Sequence, residues 1–578
     1  MKKSLDYVIR GGAVADGLGS PLAQADVAVK NGRIVHVGKV SETGREEIDA
    51  RHCIVTPGFV DIHTHYDGQA IWDQRLAPSS WHGVTTAVMG NCGVGFAPVR
   101  VQDRQRLIEL MEGVEDIPGV ALHEGLDWAW ESFPDFLNAL ERKPHDIDFG
   151  AQLPHAALRV YVMGERASRL EMATADDCAR MRQLATEAMH AGAIGFSTSR
   201  SINHKSVSGA PTPTLRAAEA ELMAIALGVK DAGTGVLQMI TDFDGEDVDR
   251  EFHLMRRLVE ASGRPLSFSL MQKHGNPHGW KRVLELTRHA SRDGLPMLAQ
   301  VAPRGVGLLL TLQGNRNIFS ECPSYQALSA LPSERRAVVM QEPSLRAMLL
   351  RDLKEGGDTL AGKRLTDFQN IFTFGNPPNY DPGAQSSVSA IAEREGRSPA
   401  EVAFDLTVAD NGRQILYSPF ANYADHSLEA CGVMIADPNT VIGLGDGGAH
   451  VGLISDASFP TFMLSHWGNA AGRFDLSWLV KRQTSDTARC VGLYDRGVIA
   501  AGMKADINVI DLGGLGMATP HVQFDLPAGG RRLLQSATGY VATLVSGKLT
   551  YRSGESSGAL PGRLVRGPQR PPGKQYPS

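Results

Sequence analysis

The run Pro57-Gly58-Phe59-Val60-Asp61-Ile62-His63-Thr64-His65 ends an apolar stretch with two imidazoles two residues apart. On an extended strand residues i and i+2 share a face. His63 and His65 can therefore grip one divalent ion from the end of a strand, and imidazole suits Zn²⁺ and similar transition metals. The competing reading is two unrelated loop histidines. Asp446 lies in Gly443-Leu444-Gly445-Asp446-Gly447-Gly448-Ala449-His450. An Asp among glycines is ordinarily a turn residue; beside a metal it would serve as a ligand and accept a proton from bound water. Cys92 lies in Met89-Gly90-Asn91-Cys92-Gly93-Val94-Gly95. There a thiolate would be a soft metal ligand, and the plainer alternative is a small buried thiol in a glycine-rich turn.

These residues need a scaffold that brings them together. Apolar segments at 53–62, 84–90, 147–153, 192–197, 235–240, 265–270, 296–302 and 439–445 read as eight strands. Most are separated by helical segments such as 174–191 and 215–232, which is the parallel βα pattern. Eight units predict a (β/α)₈ TIM-like barrel, with reactive groups at the C-terminal ends of the strands. Closure of such a barrel sets Asp446, after the last strand, beside His63 and His65 on the first. The segments 6–10, 26–30 and 33–37 near the start, and 504–510 and 540–545 near the end, share a strand-and-turn grammar, with Asn31-Gly32 as a hairpin signal. Residues 1–56 and 490–560 are therefore expected to form one composite β-sandwich domain. The barrel is expected over 57–489, with a long insertion at about 303–438. That insertion includes a helix opened by Ser398-Pro399-Ala400-Glu401, a capping box with Pro in the first turn. An insertion of this kind suggests a lid or pocket element. Residues 561–578, rich in Pro, Gly and Arg, read as an extended tail, draped or poorly ordered.

Composition narrows the function classes. Apolar residues make up 42% of the 578 and charged residues 21%, as in an ordinary globular chain. A net charge of −6 gives no basic field for nucleic acid. No window approaches the roughly 18 apolar residues of a membrane span. Met1-Lys2-Lys3 is not followed by the apolar run of a signal peptide. The six cysteines include no CxxC pair, which points to a reducing, cytoplasmic setting without a disulfide framework. A small-molecule substrate is the expected partner, and a homo-oligomer is left open.

PGFVDIHTHYDGQ, WHGVTTAVMGNCGVGFAP and GDGGAH resemble the amidohydrolase superfamily, and more narrowly its D-aminoacylase or N-acyl-D-amino-acid deacylase branch. The resemblance covers nearly the whole chain, including Gly497 to Asp506 (GVIAAGMKAD). It implies hydrolysis of an amide C–N bond, with two metal positions available in the branch. The HxH pair and the last-strand Asp serve one position and the Cys after strand two bridges both. These roles fall on His63, His65, Asp446 and Cys92. The chain departs from the branch where a His is expected at the ends of strands five and six. Gln238 stands on the fifth, and Leu270 or Met271 on the sixth. Amide and thioether are poor zinc ligands beside imidazole, so one Zn²⁺ per chain is expected.

Other residues remain as substrate-binding candidates. His155 follows strand three and could face the pocket. Gln238 or His155 would help hold an oxyanion, and Lys273 and Arg304 are candidate cations for a substrate carboxylate. His204 with Lys205, His274 and His278 read as loop-surface residues. Trp72, Trp81, Trp128 and Trp130 could line an acyl pocket but read first as core. Two alternatives stand beside amide hydrolysis: a cyclic amide or lactone hydrolase with the same machinery, and a metal-free barrel that only binds a ligand.

Overall fold

A computed structural model describes residues 5–243, 248–355 and 360–573. Met1–Ser4 of the expected first domain, 356–359 of the insertion and the end of the expected tail, 574–578, lie outside them.

Eight parallel strands form the barrel: Phe59–Asp61, Val84–Met89, Asp148–Pro154, Gly195–Arg200, Val236–Thr241, Leu266–Ser269, Met297–Val301 and Thr440–Ile442. Each pairs with its neighbour in sequence. The ring closes just beyond the first and last strands, where Thr64 and Gly447 form a parallel bridge. There Asp446 N donates to His63 O at 2.9 Å and His65 N donates to Gly447 O at 2.7 Å. Helices including Ala175–Ala191, Glu219–Asp231 and Gly279–Arg292 accompany the strands. The TIM-like barrel expected from the periodicity is present.

Strand alternation sorts the side chains. Leu237 and Met239 of the fifth strand join the large core with helix residues such as Leu222 and Met255. Gln152, Ser197, Gln238, Ser267 and Gln300 are buried polar residues of strands three to seven. They make the barrel interior hydrophilic at the level of the first-strand histidines.

Both chain ends supply one nine-stranded sheet. Leu5–Val14, Ala23–Lys30, Arg33–Gly38, Gly44–Asp49 and Ile54–Pro57 come from the start, and Ile507–Ile510, Tyr540–Val545, Lys548–Arg552 and Glu555–Ser556 from the end. The seam is the antiparallel pairing of Ile54–Pro57 with Ile507–Ile510. Ile9, Val27, Val55, Ile507, Val509 and Leu544 share one core. The hairpin His521–Leu526 and Gly530–Leu534 forms a separate two-stranded sheet. It reaches the barrel mouth, where Leu533 N donates to Val451 O and Arg531 Nε to Asn315 Oδ1. Residues 561–573 run against the barrel: Val565 N donates to Phe149 O at 2.7 Å, and Leu564 and Val565 are buried.

Within 303–438, the strands Val306–Leu310, Phe372–Thr373 and Leu416–Ala421 form their own antiparallel sheet. Leu312, Phe319, Met340, Leu349 and Phe404 pack into a separate core there. Ser398 caps Pro399–Gly412 in the box arrangement with Glu401. Among the described residues, no helix is long and apolar enough to cross a membrane.

Barrel and composite sheet are joined by buried charge. Arg496 donates to Asp148 Oδ2 at 2.7 Å and to Thr86 Oγ1 at 2.9 Å, and Lys504 Nζ lies 3.0 Å from the same Asp148 oxygen. Asp148→Ala leaves Arg496 with Asp495 as its remaining carboxylate. Urea unfolding of this variant is expected to show a loss of about 3 kcal/mol. A change below measurement error would remove Asp148 from the joint.

Candidate metal centre

The HTH segment leaves the first strand inside the barrel, and Asp61 Oδ1 accepts from His63 N at 3.0 Å. Backbone closure sets the eighth-strand loop beside it. Cys92 arrives from the loop after the second strand. Asn91 pins that loop by donating to Thr64 O and Val88 O. Ser197 Oγ accepts from Gly93 N at 3.0 Å. Gly90 is obligatory there: its φ is +79°, and a Cβ would lie 2.4 Å from Gln152 O. Cys92, Leu444, Asp446 and His450 all adopt positive φ without being glycine. Such left-handed backbone persists only where surrounding structure enforces it, commonly at functional sites.

The side-chain geometry is compact. His63 Nε2 lies 3.4 Å from Cys92 Sγ and 3.4 Å from Asp446 Oδ1. His65 Nε2 lies 3.7 Å from the same Asp446 oxygen. One ligand atom each from His63, His65 and Cys92 falls within 4.8 Å of the others. His63 and His65 are each 1% exposed. Among the described residues, neither ring nitrogen of His65 nor Asp446 Oδ1 has a hydrogen-bond partner. Buried polar atoms without partners are costly, and of these His65 Nε2 and Asp446 Oδ1 face one another, an arrangement suited to a shared cation. Zinc bonds of roughly 2.0–2.3 Å in a tetrahedral arrangement separate ligand atoms by about 3.3–3.8 Å, and the observed spacings fit that range.

Charge distribution agrees with this. Burial pushes the Cys92 thiol up to about 12 against the pull of His65, so a thiolate there requires a cation. Asp446, despite its burial, is held well below the carboxylate range by His65, His63 and His450. Burial holds His63 down to about 4. For His65 burial acts in the same direction, yet Glu115, Asp446 and Cys92 raise it well above its ordinary value.

Two residues not singled out from the sequence face the outer sides of the rings. Gln300 Oε1 lies 2.7 Å from His63 Nδ1, and Gln300 Nε2 donates to Ser267 Oγ at 2.8 Å. Glu115 Oε1 lies 3.4 Å from His65 Nδ1. Gln300 is an inward residue of the seventh strand, so barrel phase alone could have singled it out. Glu115 closes a helix between strands two and three, where no spacing rule marks it.

The remaining candidates scatter. His155 is fully buried at the start of its helix, 2.7 Å from Thr198 Oγ1 and 2.9 Å from Glu221 Oε1 through its two ring nitrogens. Arg159 pairs with the same Glu221. Both ring nitrogens of His155 are thereby committed to a structural network. Arg304 is also committed. It pairs with Asp456 at 3.1 Å, donates to Ser455 O and Ser458 Oγ, and lies 3.5 Å over the Tyr380 ring. Lys273 Nζ donates to Asp242 O. Gln238 is buried on the fifth strand, in register with Ser197 and Ser267, and neither amide atom has a hydrogen-bond partner among the described residues. Leu270 belongs to the large apolar core, whereas Met271 packs beside Ala302, Val306 and Leu444. His204 departs from its surface reading: its Nδ1 meets Ser199 Oγ at 2.8 Å. Burial, followed by the charges of His450 and His65, lowers it to about 3. Trp130 is core, donating to Phe96 O, and Trp72 and Trp128 pack against that core.

A parallel barrel that gathers imidazole, thiol and carboxylate at its strand ends defines the class: an α/β-barrel protein whose strand ends bring together side chains able to hold a metal ion. The family model described as the amidohydrolase family matches residues 46–551, and the chain belongs to that family. A D-aminoacylase of Alcaligenes xylosoxydans xylosoxydans is 26% identical over 511 residues, 88% of each chain. An N-acyl-D-aspartate deacylase of the same organism is 36% identical over 194 residues, 33% of this chain and 36% of that protein. Among solved structures, a D-aminoacylase with a binuclear metal centre superposes with a TM-score of 0.65 at 24% identity, covering 97% of this chain and all of that one. An N-acyl-D-glutamate deacylase from Bordetella bronchiseptica, complexed with zinc and a phosphonate inhibitor, gives 0.64 at 21%, covering 98% and 100%. The resemblance expected from the motifs holds.

Gln300→Leu strands the Nδ1 side of His63 and the Ser267 hydroxyl inside the barrel. Urea unfolding of the metal-free variant is expected to reveal a loss of about 1–3 kcal/mol. Unchanged stability would mean that the amide does not support the ring.

Proposed function

We propose that this amidohydrolase cleaves the amide C–N bond of an N-acyl amino acid or a related N-acyl compound, using one divalent ion, Zn²⁺ by the chemistry of its ligands. The observation that carries the reading is the set of spacings around His63 Nε2, His65 Nε2, Asp446 Oδ1 and Cys92 Sγ, which fall in the range expected between ligands of one tetrahedral ion. The N-acyl substrate class draws on the D-aminoacylase relative.

His63, His65 and Asp446 would hold the ion, with Cys92 as fourth donor. When bound, such an ion lowers the pKa of water from 15.7 toward about 7 and polarises a carbonyl oxygen. In the metal-free site the surrounding histidines hold the Asp446 carboxyl well below the carboxylate range against its burial. Its carboxylate accepts the proton of the attacking water and returns it to the leaving nitrogen, as base and then acid. Gln238 presents a buried amide whose donor and acceptor have no hydrogen-bond partner among the described residues, suited to an oxygen of the substrate or of the tetrahedral intermediate.

His63→Ala and His65→Ala each remove one donor. Both variants are expected to lose metal on dialysis and to lose hydrolysis of N-acyl-D-amino acids, read by elemental analysis and by release of free amine. Undiminished turnover in a metal-free double variant would end the metallohydrolase reading. A panel that adds cyclic amides and lactones tests the substrate class, and exclusive turnover of a cyclic substrate would replace it.

The count of metals is the second expectation. Past the end of strand six, where Leu270 joins the large core, Met271 stands in place of an imidazole, and strand five presents Gln238. Purified protein should carry one equivalent of divalent metal. Gln238→His combined with Met271→His should bind a further equivalent of zinc. Two equivalents in the unmodified protein would show that other side chains supply ligands.

A further inference from the structure

Glu115 is the last residue of the helix Arg104–Glu115 and is 2% exposed. Its Oε1 has no hydrogen-bond partner among the described residues and lies 3.4 Å from His65 Nδ1. Its Oε2 lies 3.7 Å from His450 Nε2, and its carbonyl accepts from His450 N. A carboxylate in this position has no role in a helix end: it is buried, and the negative end of the helix dipole disfavours it there.

The surroundings hold it in place. Gly113, two residues earlier, lies so close to the strand-four loop that a Cβ would sit 2.2 Å from Ser206 C and 2.3 Å from Lys205 O. Val207 N donates to Glu109 O at 3.0 Å. Beyond the helix, Asp116 turns the chain at φ 51°. Asp116 Oδ2 lies within hydrogen-bond reach of Gly452 N at 3.3 Å and Asn315 Nδ2 at 3.4 Å. The helix end is thus fixed to the fourth-strand loop, the eighth-strand loop and the insertion together.

His63 and His65 are consequently supported in unlike ways. The Nδ1 of His63 meets a neutral amide oxygen, and that of His65 faces a carboxylate. A metal-bound imidazole that donates its other N–H to a carboxylate is fixed in tautomer and orientation and becomes a more basic donor. We propose that Glu115 is a positioning residue of the metal centre: through Nδ1 it fixes the His65 ring so that Nε2 faces Asp446, and its charge makes His65 the stronger imidazole ligand. This rests on the reading of the site as a metal centre.

The test uses full-length protein stripped of metal, with Zn²⁺ alone as the probe and a chromophoric chelator as competitor. Glu115→Ala is expected to weaken zinc binding about 10–100-fold. Glu115→Gln keeps an acceptor without the charge and should weaken it less. Because Gln is isosteric, it keeps the test open if the Ala variant fails to fold. Excess zinc should restore much of the turnover lost by Glu115→Gln, which a packing defect would not allow. Folded variants that bind zinc within twofold of the unmodified protein would overturn the assignment and leave Glu115 a bracket between helix and loop. Absence of zinc binding in the unmodified protein would instead overturn the metal centre itself.

Discussion

The arrangement depends on one main-chain event, the closure of the first barrel strand against the last. Two backbone hydrogen bonds, Asp446 N to His63 O and His65 N to Gly447 O, set the imidazoles and the carboxylate side by side. No side chain could make up for a ring left open, because His63 and Asp446 come from opposite ends of the barrel sequence. The polar interior follows from the same closure. Ser267, Gln300 and His63 form one connected line across strands six, seven and one. Ser197 secures the turn that delivers Cys92.

Legibility in the sequence followed periodicity. Each barrel strand was an apolar run of sufficient length, and the two histidines ended one of them, so the barrel and its first-strand pair could be read without coordinates. Asp446 was readable because position after the last strand has only one meaning in a closed ring. The insertion was visible as a gap, though its own apolar core, around Phe319 and Phe404, was not. The hairpin at His521–Leu526 and Gly530–Leu534 falls within the span 490–560 expected for the composite domain but forms a sheet of its own, since alternation marks a strand but says nothing of its partner.

The site was less legible where contacts are non-local. His155 looked like a pocket residue from its place after strand three, yet Glu221 and Thr198 occupy both its nitrogens. Arg304 looked like a free cation until Asp456 and Tyr380 closed around it. Glu115 carried no signal, because its meaning lies in a ring nitrogen presented by a distant segment. A buried side chain is defined by what folds against it, and single-sequence spacing reports only what lies on its own element.

The seam between Ile54–Pro57 and Ile507–Ile510 has a consequence for biosynthesis. The ribosome releases the first of these strands early, and its neighbour on that side emerges only after the whole barrel has been made. At roughly 5–20 residues per second, that delay is on the order of tens of seconds. For that interval the nascent chain holds an open strand edge, a surface prone to pairing with the wrong chain. The strand leads directly into Gly58 and the first barrel strand, so the growing barrel is tethered to an unfinished sheet. Emergence of Ile507–Ile510, and not local folding, is then the event that closes this edge. Truncated translation products of this gene would be the species that chaperones must hold.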